Sequence, residues 1–179
     1  IPKDGIPFHP YFTVKDTMGA VAFLWIFCAV VFYAPGLNGY FLEHANFIEA
    51  NPLQTPEHIA PLWYLTPFYS VLRAVPPMFG SQFPGVLAMG ASLLILFFLP
   101  WLDRSPVKSI RYRSPIYKWV LGVFVVSFVM LGWLGMQPVT PLNVFLARLF
   151  TVLYFAFFIL MPWYTSIGKT KEVPERLTE

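Results

Sequence analysis

Long apolar runs alternate along this chain with shorter stretches rich in proline, aromatic and charged residues. Four runs stand out, at about Thr17–Ala34, Pro84–Leu102, Ile116–Met136 and Val144–Trp163. Each approaches the roughly 20 residues that a helix needs to cross the hydrocarbon core of a bilayer. None carries Asp, Glu or Lys in its middle, and Arg148 lies one turn inside the fourth, within snorkelling reach of the interface. Polarity does not alternate along them, which argues against transmembrane strands. Backbone groups in lipid need internal partners, so the runs predict four transmembrane helices. Ser92 and Ser127 are polar residues near mid-span, and a serine there can bond its own helix backbone.

The loop between the first two spans, about 35–83, is unusually long. Structureless loops beyond about 12–15 residues are functional or disordered, and this one is too aromatic for disorder. Apolar residues at 65, 68, 69 and 72 predict a short helix over Leu65–Val75, ended by Pro76 and Pro77 and lying along the membrane surface. The expected fold class is therefore an all-α membrane protein, four transmembrane helices plus a short surface helix, in one domain over 1–179.

Composition agrees. Hydrophobic residues make up 57% and charged ones 12%, against about 45–50% and roughly 25% in soluble domains. So little charge cannot cover a soluble surface. Charge also carries direction. With an even number of spans, both termini and the 103–115 loop share one side. That side holds Lys3, Lys15, Arg104, Lys108, Arg111, Arg113, Lys118, Lys169, Lys171 and Arg176, ten of the 12 basic residues. The positive-inside bias assigns it to the cytoplasm or the equivalent negative side of an organelle. Glu43, Glu49 and Glu57 lie in the opposite loop. Basic and aromatic residues are not interleaved, so no nucleic-acid partner is expected. The single cysteine, Cys28, sits in an apolar run, facing lipid or the bundle, and no metal-ligand spacing is present. The start, Ile1-Pro2-Lys3-Asp4, does not read as a signal peptide but as a cut through a longer protein.

The candidate chemistry lies in two stretches. One is His58-Ile59-Ala60-Pro61-Leu62-Trp63-Tyr64-Leu65-Thr66-Pro67-Phe68-Tyr69-Ser70-Val71-Leu72-Arg73-Ala74-Val75-Pro76. Its composition alone fits an interfacial anchor as well as a ligand pocket, because Trp and Tyr have an apolar body and a polar tip. The other is Ile6-Pro7-Phe8-His9-Pro10-Tyr11-Phe12-Thr13-Val14-Lys15-Asp16.

Together these resemble cytochrome b. Pro61, Trp63, Tyr64, Pro67, Phe68, Tyr69, Leu72, Arg73 and Pro76 match its Pro-Glu-Trp-Tyr region and the Pro-Phe-Tyr and Leu-Arg positions beyond. Residues 6–16 match the stretch before its fifth helix. The resemblance covers essentially the whole chain and identifies it as helices five to eight. It implies the quinone-site-forming half of a proton-translocating quinol–cytochrome c oxidoreductase, working with ubiquinone-type quinone. The implied partners are the N-terminal half holding two b-type haems, a Rieske iron–sulfur protein, a cytochrome c1-type subunit and lipid, in a homodimeric complex. The implied place is a bacterial inner membrane, or the mitochondrial one, with both termini on the negative side. His9, His44 and His58 lie in loops without the family's paired spacing, so no haem ligand is assigned here.

The resemblance also implies residue roles. Asp16 would hydrogen-bond quinone at the reductive site, Phe8 would lie near that quinone or pack in the core, and Lys15 would face lipid headgroups or support the proton path. Asp16 followed by Thr17 also reads as a helix N-cap. At the oxidative site Pro61, Trp63 and Tyr64 would shape the loop, Ile59 would contact the ring or the docking surface, and Leu62 would add apolar surface to the pocket wall. Phe68 and Tyr69 would wall the pocket, and Tyr69 would hydrogen-bond quinol or the iron–sulfur partner. Arg73 would pair with a carboxylate or cap carbonyls. Leu62 stands where the family usually has glutamate, which leaves the proton exit open; Glu57 would substitute only if the loop folds back. Two alternatives are a subunit IV-type component of a plastoquinol–plastocyanin reductase, which the fourth span and Phe8–Tyr11 oppose, and a non-catalytic membrane anchor or transporter fragment.

The topology is testable by cysteine labelling in oriented vesicles, with Cys28 replaced. Cysteines at positions 49 and 111 are expected to react from opposite sides; labelling of both from one side refutes the orientation.

Overall fold

The computed structural model describes residues 5–56 and 59–173. The chain divides into two compact units, one running to Leu53 and the other comprising Gln54–Val173. Regular structure among the described residues is helical, apart from an isolated bridge between Met78 and Ser81. Four helical stretches, Tyr11–Tyr33, Phe83–Leu102, Pro115–Met136 and Pro141–Ile159, are long and apolar enough to cross a membrane.

In the first unit, α1 (Tyr11–Tyr33) has apolar residues around its whole circumference, the pattern of a membrane span. It starts six residues before the expected Thr17. Its first turn forms over the Pro7–Pro10 segment, where Phe12 N–H donates to the Phe8 carbonyl at 2.8 Å. Cys28 is exposed on this helix. Short 3-10 turns follow at Leu37–Gly39 and His44–Phe47.

The second unit contains α2 (Thr66–Ala74), α3 (Phe83–Leu94), α4 (Leu99–Leu102), α5 (Pro115–Met136), α6 (Pro141–Ile159) and α7 (Met161–Ile167). Prolines modify two of the expected spans. Residues 95–98, between α3 and α4, tighten into a 3-10 turn, because Pro100 has no N–H and its ring crowds the carbonyl of Leu96. The fourth run breaks at Leu160, with Pro162 opening α7. Elsewhere proline starts helices. Pro115 and Pro141 occupy first-turn positions, and the preceding Ser114 and Thr140 side chains accept from the N–H groups of Tyr117 and Asn143.

The core is aromatic. Tyr154, Phe157 and Phe158 of α6 are buried with Val71, Leu131 and Met161, and Phe124 of α5 stacks on Phe157 at 4.3 Å between ring centroids. Both mid-span serines bond their own helices, as expected: Ser92 Oγ donates to Met89 O at 2.6 Å and Ser127 Oγ to Val123 O at 2.7 Å. The sequence reading passed over Tyr154, whose hydroxyl donates to the Ser92 carbonyl at 2.7 Å and ties α6 to α3.

The short helix α2 forms within the expected residues, and it is also packed into the unit. Thr66, Pro67, Ser70, Val71 and Ala74 are buried, and the helix packs against α3, α5 and α6. Glycine makes this approach possible. A β-carbon on Gly135 of α5 would collide with the backbone carbonyl of Thr66, and one on Gly85 of α3 would come within 2.6 Å of the Leu72 carbonyl. Gly132, one turn before Gly135, faces the Pro67 ring at an ordinary 3.4 Å.

Gly135→Ala is therefore expected to lower stability by about 1–3 kcal/mol through overpacking, read as the thermal midpoint of the purified protein in detergent. Gly132→Ala should be near neutral or stabilising, since alanine is the better helix former. Equal effects at the two positions would show that α2 does not rest on Gly135.

Candidate functional site

In the second unit the candidate residues form a shelf leading into an anchored helix. Ile59, Leu62, Trp63 and Tyr64 are exposed and Pro61 is half-buried. A turn closes the segment, with Leu65 N–H donating to Leu62 O at 2.8 Å and Thr66 Oγ1 to Trp63 O at 2.7 Å. The rings of Trp63 and Tyr64 meet edge to face at 5.6 Å. One turn on, the half-buried Phe68 packs edge to face on Phe128 of α5 at 6.0 Å. Tyr69 is half-buried beneath the Arg73 guanidinium, 5.3 Å from its ring centroid.

The far end of α2 is held by distant side chains. Pro76 and Pro77 stop the helix, leaving terminal carbonyls that need donors. Gln82 Nε2 donates to Leu72 O at 3.1 Å and to Val75 O at 3.2 Å, and Arg148 Nε donates to Ala74 O at 3.0 Å. In return, Arg73 reaches the end of α5, donating to Gly135 O at 3.4 Å and Gln137 O at 3.2 Å. Arg73 thus caps carbonyls, one of the two roles expected of it. Arg148 is exposed, as its expected place near the interface allows, and its Nε also closes the end of α2.

In the first unit Asp16 lies in the second turn of α1, so the N-cap reading does not hold; Pro10 occupies the cap position and no side chain bonds there. Asp16 is exposed. Phe8 stacks on Phe12 at 5.8 Å, and Asp16 follows Phe12 by four residues, which puts both on one helix face. Lys15 Nζ sits over the Phe12 ring at 5.8 Å. Phe12 is the neighbour that the sequence reading left out, although its spacing from both Phe8 and Asp16 carries the signal. His9 lies in the turn before α1, bonded to Thr13 Oγ1 at 3.3 Å, and His44 opens a 3-10 turn. Neither stands inside a membrane-spanning helix, so the described histidines do not fit haem ligation across a bundle. Glu57 and His58 lie outside the described residues.

The comparisons bear on this arrangement directly. Residues 49–155 match the family model described as cytochrome b(C-terminal)/b6/petD. The chain belongs to the cytochrome b C-terminal family. It is 66% identical to the cytochrome b of Allochromatium vinosum over 99% of this chain and 43% of that protein. It is 47% identical to the cytochrome b of Rhodospirillum rubrum over 97% of this chain and 41% of that protein. A solved structure titled "Hyperthermophilic respiratory Complex III" superposes with a TM-score of 0.82 at 42% identity, over 94% of this chain and 41% of that one. The chain thus spans about two-fifths of the length of the relatives it matches. It is an integral membrane protein and corresponds to a C-terminal half of cytochrome b.

Family membership covers α2 and its contacts with α5 and most of α6, because residues 49–155 include Gly135, Arg73 and Arg148. Removing a charge-assisted bond to a carbonyl costs about 1.5–3 kcal/mol. Arg148→Met is expected to destabilise the protein by about that amount and to speed hydrogen exchange at the α2 amides before those of α5. Unchanged exchange in α2 would mean that Arg148 does not hold its end.

Proposed function

We propose that this chain forms the quinone-binding half of a proton-translocating quinol–cytochrome c oxidoreductase. The observation that carries the reading is the exposed Ile59–Tyr64 shelf, continuous with Phe68 and Tyr69 on a helix locked by Gly135, Arg73 and Arg148. An apolar quinol ring needs aromatic and aliphatic walls with a few placed polar groups, and a rigid helix holds those groups better than a free loop. Relatives named cytochrome b and a structural neighbour in a respiratory complex III support it.

In this reading the missing N-terminal half carries both b-type haems, and a Rieske iron–sulfur protein and a cytochrome c1-type subunit complete a homodimeric complex in a bacterial inner membrane. Electron transfer belongs to those parts. This chain binds and orients ubiquinone-type substrate and handles protons. At the oxidative site Ile59, Pro61, Leu62, Trp63, Tyr64 and Phe68 wall the pocket. The Tyr69 hydroxyl orients quinol or the docked partner, its ring steadied by Arg73. Leu62 adds apolar surface where a carboxylate would take a proton, so proton release runs through the partner protein and ordered water. At the reductive site Phe8 and Phe12 flank the ring, and the exposed Asp16 carboxyl, protonated from the negative side, donates to the reduced quinone oxygen, gives up that proton and is reprotonated from the same side.

Single-turnover kinetics of the assembled complex test both sites, with quinol oxidation and quinone reduction timed separately. Asp16→Asn is expected to slow quinone reduction and leave quinol oxidation nearly intact. Tyr69→Phe should do the reverse, slowing quinol oxidation about two- to tenfold for one lost hydrogen bond. Wild-type rates for both steps in both assembled variants would sink the assignment.

A further inference from the structure

At the end of the second unit opposite α2, the surface carries an open cavity of about 540 Å³ that the quinone chemistry does not use. That volume falls within the roughly 300–1,000 Å³ of sites for small molecules. The cavity lies where the end of α4, the start of α5 and the α6–α7 junction meet. Its wall is apolar, formed by Leu99, Leu121, Phe157 and Met161, and its rim is charged, with Lys108 and Arg113 beside Asp103.

The rim has an uneven charge balance. The Arg113 side chain is 10% exposed, and its Nη2 donates to Asp103 Oδ2 at 2.6 Å. The guanidinium lies over the Tyr117 ring, 4.5 Å from the centroid. Asp103 also accepts from Ser105 N–H at 3.1 Å. This pairing neutralises Arg113 but leaves its Nη1 buried without a hydrogen-bond partner. Lys108 is exposed and makes no ion pair, so among the described residues the rim keeps one uncompensated positive charge next to an unsatisfied donor. A cationic rim above an apolar wall, at the membrane end of three spans, complements an amphiphile with an anionic head. A neutral headgroup would leave Lys108 unanswered, and a free anion would leave the apolar wall bare.

We propose that this cavity binds one anionic phospholipid. Its phosphate lies against Lys108 and, after a local shift that opens Nη1, against Arg113, and an acyl chain lies along Leu99, Leu121, Phe157 and Met161. The site differs from both quinone sites and does not depend on that reading.

The test uses the purified assembled complex, stripped of lipid in detergent and titrated with phosphatidylglycerol, phosphatidylcholine or glycerol 3-phosphate under native mass spectrometry. Wild-type complex is expected to bind one phosphatidylglycerol more than Lys108→Ala complex, which should bind it about fivefold more weakly, as expected for about one surface charge. Leu121→Trp keeps the charged rim but fills the cavity, and should lose the same lipid. Phosphatidylcholine should bind less tightly at this site, and glycerol 3-phosphate should not displace the lipid. Lys108 is exposed in a loop, so its variant is expected to assemble. Equal phosphatidylglycerol binding by wild type and Lys108→Ala overturns the proposal. So does displacement by glycerol 3-phosphate, which would mark a free-anion site, or equal retention of phosphatidylcholine.

Discussion

The carbonyls that end α2 cannot be left bare, and the way they find donors fixes the geometry around them. Carbonyls at a helix end have no partner within the helix and need donors from side chains or water. Gln82, immediately before α3, and Arg148, from α6, supply the donors to Leu72, Ala74 and Val75. Arg73 of α2 supplies donors to the end of α5. Each helix end is closed by a side chain from another helix, so α2 cannot shift without uncovering carbonyls in two places. Guanidinium suits the task because it stays charged and presents several donors in a fixed plane. The glycines are the steric half of the same arrangement: only with no β-carbon at Gly135 does the Thr66 backbone come close enough for Arg73 to reach the end of α5.

Much of this fold was legible in the sequence, because apolar runs near membrane length have one structural outcome in lipid. Their ends were less legible. The first helix starts at Tyr11 because the Phe8–Pro10 segment supplies its first carbonyls, which no hydropathy pattern reveals. The breaks at 95–98 and at Leu160 follow from Pro100 and Pro162, both visible in the sequence but inside apolar runs that drew attention to length instead. The candidate residues were named from motifs, and the structure brings Ile59–Tyr69 onto one local scaffold while Phe8 and Asp16 share α1 and its approach. The contacts that hold the scaffold were not legible. Arg148 to Ala74, Tyr154 to Ser92 and the Gly135–Thr66 approach join residues more than 60 positions apart, and neither partner's local pattern announces the other.

In the proposed reading, the shelf and the helix divide the work of recognition. Residues 59–64 have few internal bonds and expose their rings, whereas Phe68 and Tyr69 sit on a backbone fixed at both ends. A flat apolar ring gains most from the exposed residues, and its polar oxygen gains most from the fixed ones, since hydrogen bonds depend on angle more steeply than dispersion does. Leu62 fits this division. A carboxylate there would need its own partners once covered, while leucine extends the apolar surface without that requirement. In the proposed reading, proton release at the oxidative site then falls to groups that arrive with the partner or with water, and the contribution of residues 59–69 there is geometric.

The two ends of the second unit solve the same problem with different chemistry. Beside α2, arginines meet neutral carbonyls, Arg73 those of Gly135 and Gln137 and Arg148 that of Ala74. At the other end Arg113 meets the carboxylate of Asp103 directly and stacks on Tyr117. Nearby, burial holds the Tyr164 phenol above its ordinary range, with Tyr117 and Asp103 adding to the effect and Arg113 opposing it. The phenol stays protonated and donates to the Phe157 carbonyl at 2.7 Å. A carboxylate–guanidinium pair carries no net charge, so the surplus of cations at this end resides in exposed residues such as Lys108. That separation allows the end to be well packed and still attract anions. The pair balances the buried charge while leaving Arg113 Nη1 without a partner, and the surplus positive charge lies on the exposed lysine beside the apolar cavity.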